Sequence, residues 1–84
     1  MTRQEIDVLL RKILSEGIEI DADVDSIAES TKLEALGIDS LDIVEIAQMF
    51  EEETGIEIRA EDAKDVTTMG DVLDVLASRA PLAA

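Results

Sequence analysis

Eighty-four residues allow one small domain, which hides only about 60 to 65% of its extended surface and leaves no room for a large internal active site. The chain has no Cys and no His, which excludes disulfides, thiolate zinc sites, a cysteine nucleophile and the commonest general base; one Phe with no Tyr or Trp excludes stacking on nucleic-acid bases and requires an aliphatic core. Twenty-one acidic residues against seven basic ones give a net charge of −14, which repels nucleic acid and anionic membrane and favours basic protein partners.

The opening residues Met1 to Glu5 are mostly polar or charged, with no apolar signal core after them and no run of membrane-spanning length, so a cytoplasmic protein without a membrane span is expected. Thr2 and Glu5 fit a capping box, and Ile6, Leu9, Leu10, Ile13 and Leu14 then mark one helical face, predicting a first helix over 3–16 that Gly17 stops. Residues 18–32 show no sustained period and read as a long loop. Within it Asp21, Asp23, Asp25 and Glu29 have the spacing of a calcium loop, but Ser26 replaces the turn glycine and Lys32 stands where a bidentate Glu should close the site. A solvated acidic loop is the expectation, and no metal site is assigned.

A second helix is predicted over 40–53, with Gly55 beyond it. Asp42, Glu45, Gln48 or Met49, and Glu52 recur at spacings of three and four, forming an exposed acidic stripe. Asp39 and Asp42 suit the positive end of the helix dipole, whereas Glu51, Glu52 and Glu53 crowd its negative end, where local stability does not explain them. A docking face for Lys and Arg does. After Ile56-Glu57-Ile58, too short for an assigned strand, a short third helix is predicted over 60–66 and a fourth, capped by Thr68, over 68–79, with a frayed tail at 80–84. The expected fold is an all-α four-helix bundle with a long loop between helices 1 and 2.

Ser40 stands at a helix start, where it can be read as an N-cap, and no neighbouring base is available to make it a nucleophile. Exposed N–H groups at such a position also favour a phosphate ester. The segment Leu36-Gly37-Ile38-Asp39-Ser40-Leu41-Asp42 resembles the acyl carrier proteins, whose hallmark is an Asp-Ser-Leu triplet after a Leu-Gly-X turn. The resemblance continues through Glu51-Glu52-Glu53, Ile56-Glu57-Ile58 and Thr67-Thr68-Met69-Gly70-Asp71. It implies a single carrier domain over 1–84 that is a substrate of other enzymes rather than a catalyst. Ser40 would receive phosphopantetheine from coenzyme A through a separate transferase, and the distal thiol would carry acyl groups as thioesters to fatty-acid, polyketide or related enzymes. Asp39, Leu41, Asp42, Glu45, Met49 and Glu52 would meet the basic docking patches of those partners, the carrier itself being a monomer. An acyl chain sheltered between the second and third helices would shift the NMR signals of Val44, Ile46 and Phe50. Four departures stand against the family pattern: Ala35 where an Asp is common, Lys32 at a site often apolar, Arg59 in place of a frequent Pro, and the small pair Thr54-Gly55. The competing class is an acidic interaction or calcium-responsive module that never receives a prosthetic group.

Overall fold

The computed structural model describes residues 1–18, 20 and 22–79; the tail expected to fray and Asp21 of the acidic loop lie outside them. Three α-helices are present among the described residues, α1 (Arg3–Gly17), α2 (Ser40–Thr54) and α3 (Met69–Arg79), with short 3-10 turns at Val24–Ser26, Leu33–Leu36 and Ala60–Ala63. The fold is all-helical.

Local chemistry sets the helix starts. The Thr2 hydroxyl accepts from the Glu5 N–H at 3.1 Å while the Glu5 carboxylate accepts from the Thr2 N–H at 2.9 Å, the capping box expected for α1. Asp71 does more at α3. One of its carboxylate oxygens accepts from both the N–H and the hydroxyl of Thr67 and from the N–H of Thr68, each at 3.0 Å, and the Thr68 hydroxyl returns a cap to the Asp71 N–H. Gly55 ends α2 in the left-handed region at φ 75°, a conformation that costs other residues about 1–2 kcal/mol.

Gly17 plays a different part from the stop expected of it. It is the last residue of α1 and has no positive φ, whereas a Cβ built on it would fall 2.4 Å from Met49 Sδ on α2. Its missing side chain allows α2 to approach.

The third predicted helix is not formed. Ala60–Ala63 makes a single 3-10 turn, so the described residues hold three α-helices rather than the four of the expected bundle. Long-range pairing follows this turn. The Thr67 carbonyl accepts from the Leu33 N–H at 2.9 Å, and the Met69 N–H donates to the Thr31 carbonyl at 3.0 Å, around an isolated antiparallel bridge between Lys32 and Thr68. Backbone groups committed across the molecule cannot also join this turn to α3 as one continuous helix.

Helix α1 is the hub: it packs extensively on both α2 and α3, whereas α2 and α3 have no comparably extensive contact with each other. Phe50, Leu10 and Leu73 are fully buried at the centre of an aliphatic cluster, and no polar or charged side chain is buried among the described residues. Arg3 clamps the ends together, donating to Glu29 and Asp74 at 2.7 Å each.

Candidate functional site

The turn ahead of α2 orients its first residue. Leu33–Leu36 closes on Gly37, whose φ of 77° reverses the chain, and Ile38 is buried immediately after it. Asp39 then occupies the N-cap: its carboxylate accepts from the Asp42 N–H at 3.0 Å, and Asp42 accepts from the Asp39 N–H at 3.1 Å. Ser40 is therefore the first helical residue and not the cap, which corrects the bland reading of its hydroxyl. That side chain is exposed and has no hydrogen bond within the described protein. An accessible oxygen with no structural duty is suited to bear a covalent group.

Ser40 also borders a groove of about 700 Å³ between α2 and the segments around residues 32–34 and 58–67. Ile43, Ala47, Ile58, Ala63 and Val66 line it and also line a deeper recess of about 20 Å³. That recess continues between α2 and α3, reaching Ile46, Val72 and Leu76. An aliphatic chain entering from Ser40 would meet Ile43, Ala47, Ile58, Ala63 and Val66 along this path, while charged side chains line the rest of the outer groove. Val44 borders the outer groove and Ile46 the recess, whereas Phe50 lines neither and belongs to the closed core. Ile58 and Val66 escaped selection from sequence; the alternating Ile56-Glu57-Ile58 was the only trace of the first, and the end of the helix predicted over 60–66 that of the second.

The acidic residues of α2 divide by direction. Asp39 and Asp42 face each other in the cap, and Asp42 is half-buried. Glu45 and Glu52 are exposed and have no ion pair or hydrogen bond within the described protein, so their charge is available to a partner. The run Glu51-Glu52-Glu53 fans out: Glu51 lines the groove, Glu52 points to solvent and Glu53 reaches Lys12 of α1 at 3.9 Å. Met49 is half-buried with its sulfur against Gly17, on the flank where α2 meets α1. Leu41 and Val44 are 73% and 44% exposed, an apolar pair one turn apart beside Ser40 and Glu45. An exposed apolar centre ringed by carboxylates is the composition of a docking surface.

In the acidic loop Asp23 is occupied locally, accepting from the Asp25 N–H at 3.2 Å and the Ser26 hydroxyl at 3.3 Å. No group of three or more acidic side chains arranged to hold a metal ion occurs among the described residues.

Comparison with known proteins agrees with this geometry. Residues 8–76 match the family described as "Phosphopantetheine attachment site". The chain belongs to the acyl carrier protein family. It is 40% identical over 67 residues to an acyl carrier protein of Clostridium perfringens, a match covering 80% of this chain and 87% of that one. An acyl carrier protein from Enterococcus faecalis superposes with a TM-score of 0.72 at 31% identity, covering 95% of this chain and all of that one. The fold is also that of a Thermotoga maritima acyl carrier protein, with a TM-score of 0.78 at 23% identity over 92% of this chain and 88% of that one. As a member of the family, the protein is a non-catalytic carrier that uses phosphopantetheine in fatty-acid or polyketide synthesis and interacts with a phosphopantetheinyl transferase and biosynthetic enzymes. When attached, that group supplies a thiol on which acyl chains are held as thioesters. No helix among the described residues is long and apolar enough to cross a membrane.

Proposed function

We propose that Ser40 is the attachment point of phosphopantetheine and that α2 presents the loaded arm to partner enzymes. The observation that carries this reading is the exposed, unbonded Ser40 hydroxyl at the first position of α2, beside a groove partly lined by aliphatic side chains. Within the transferase complex the Ser40 oxygen bonds to the phosphorus of the phosphopantetheine moiety, the pyrophosphate P–O bond of coenzyme A breaks, adenosine 3′,5′-bisphosphate leaves with the bridging oxygen and its electron pair, and the hydroxyl proton passes to a base of the transferase. This chain supplies position and access, not catalysis.

Docking uses Leu41 and Val44 as the apolar centre, with Glu45 and Glu52 as its free charges and Asp39, Asp42 and Met49 at its margins. Charge complementarity to basic patches raises the rate of encounter, while exposed and screened pairs remain weak enough for release and transfer to the next enzyme. The carrier is expected to act as a cytoplasmic monomer, to be checked by cell fractionation and by sedimentation at working concentration.

Intact-mass spectrometry before and after incubation with coenzyme A and an active transferase, followed by peptide mapping, tests the assignment. One phosphopantetheine on Ser40 is the expected product. Ser40→Ala should abolish loading while changing stability by no more than about 0.5 kcal/mol, because Asp39 holds the cap. Loading that persists in a folded Ser40→Ala protein would move the attachment point elsewhere. An acidic binding module without a prosthetic group would show no addition in either protein.

A further inference from the structure

The seven basic residues of this strongly acidic chain are used unevenly. Arg3, Arg11 and Arg79 bind carboxylates of neighbouring segments or turns and fasten the fold, and Lys12 has one long, exposed pair with Glu53 at 3.9 Å. The side chains of Lys32 and Lys64 have no ion pair or hydrogen bond within the described protein, although the chain has 21 carboxylates. Arg59 has only long, exposed pairs, at 3.7 Å to Glu61 and 4.0 Å to Glu57. These three cations line the one groove that Ser40 borders. Lys32 and Arg59 are also two of the departures from the family pattern.

The groove has its own carboxylates, Glu34, Asp39 and Glu51, so its lining is charge-balanced while the chain as a whole is at −14. Asp39 is already engaged with the Asp42 N–H. A negative cargo would be repelled by the general field of this protein, and this lining is the place where that repulsion is locally offset. The apolar residues Ile43, Ala47, Ile58 and Val66 suit methylene groups, and the ammonium and guanidinium groups at the rim suit an acid.

Resting on the assignment of Ser40 as the attachment point, we infer that the groove is fitted to an acyl chain whose far end is a carboxylate, held by Lys32, Lys64 and Arg59. The phosphodiester of the arm is the less fitting anion. It is fixed to the first turn of α2, whereas the cations come from the segments across the groove, before the turn Leu33–Leu36 and on either side of Ala60–Ala63. Beside a wholly apolar chain both exposed ammonium groups would be met by water alone.

The test compares three loaded forms of the whole chain: phosphopantetheine alone, its octanoyl thioester, and the suberyl thioester, which has the same length and ends in a carboxylate. Mass spectrometry first establishes that Ser40 carries the group in each. At low salt the suberyl form should melt about 2–5 °C above the octanoyl form. It alone should shift the side-chain NMR signals of Lys32 and Lys64. The difference should shrink as salt rises and vanish in the Lys32→Gln/Lys64→Gln variant, whose unacylated melting temperature reports its folding; Arg59→Gln alone should reduce it. An octanoyl form that melts as high as the suberyl form would overturn the inference and leave the lysine stems as a cover for apolar surface. Lysine shifts already complete in the unacylated form would also overturn it, assigning the cations to the arm's phosphodiester. Absence of any loading at Ser40 is a separate result, because it removes the attachment point itself and the inference with it.

Discussion

Asp71 shows how much one exposed carboxylate can organise. The N–H and then the hydroxyl of Thr67, followed by the N–H of Thr68, hold its carboxyl below the usual carboxylate range. A lowered folded-state pKa means that the unfolded chain binds the proton more readily, so stability rises with pH through the window between the two values. The contribution is complete above the ordinary carboxylate pKa and is lost as pH falls through the folded value. Glu5, held down chiefly by the Thr2 N–H, and Asp62, held down chiefly by Arg79, act in the same direction. Between about pH 5 and about pH 3 the melting temperature of Asp71→Asn should therefore fall less than that of the wild type. An equal fall in both proteins would remove Asp71 from the acid transition. This role is only half visible in the sequence: Thr68 reads as the cap of the last helix, while the Thr67 bonds depend on how the chain enters the helix.

At the level of elements, α1 and α2 were legible because their boundaries are decided within four residues, by Thr2 with Glu5 and by Asp39 with Asp42. The segment at 60–66 was not: it forms only a single 3-10 turn at Ala60–Ala63, and the pairing of Thr67 and Thr68 with residues 31–33 that follows is revealed by no local pattern. The groove was legible only as an aliphatic interior; its floor at Ile58 and Val66 depends on that same tie. Spacing placed Glu45 and Glu52 on the free face of α2 and also named Met49, whose sulfur packs toward α1. The division of labour within α2 yields a kinetic prediction. Glu45→Lys and Glu52→Lys should each slow transferase loading at low salt through the association step, with the deficit narrowing as ionic strength rises. Stopped-flow rates across a salt series check this, and an unchanged low-salt rate would exclude the substituted residue from the docking face.

For the whole molecule, the net charge of −14 sits on a small body with a radius of gyration of 11.6 Å. Like charges at such distances repel across the fold, and the Debye length of about 8 Å at physiological ionic strength shortens that repulsion. The melting temperature should rise from low salt to about 0.15 M, and a value insensitive to salt would show that the ion pairs of Arg3, Arg11 and Arg79 already offset the repulsion.

The contacts of α1 on both other helices separate the molecule into a fixed frame and a yielding side. The wall formed by residues 56–67 lies opposite α2 and none of its described side chains is fully buried; it is tied by the Leu33 N–H on the Thr67 carbonyl and by Arg79 on Asp62, not by the α1 interfaces that hold Leu10, Phe50 and Leu73. Opening would then cost far less than global unfolding. Amide hydrogens of Ile58, Val66 and Thr67 should exchange with solvent much faster than those of Leu10 and Leu73, and loading a long acyl chain should alter the first set while leaving the second unmoved. Uniform exchange across both sets would instead describe a body that opens only by unfolding, and cargo would then have to remain on its surface.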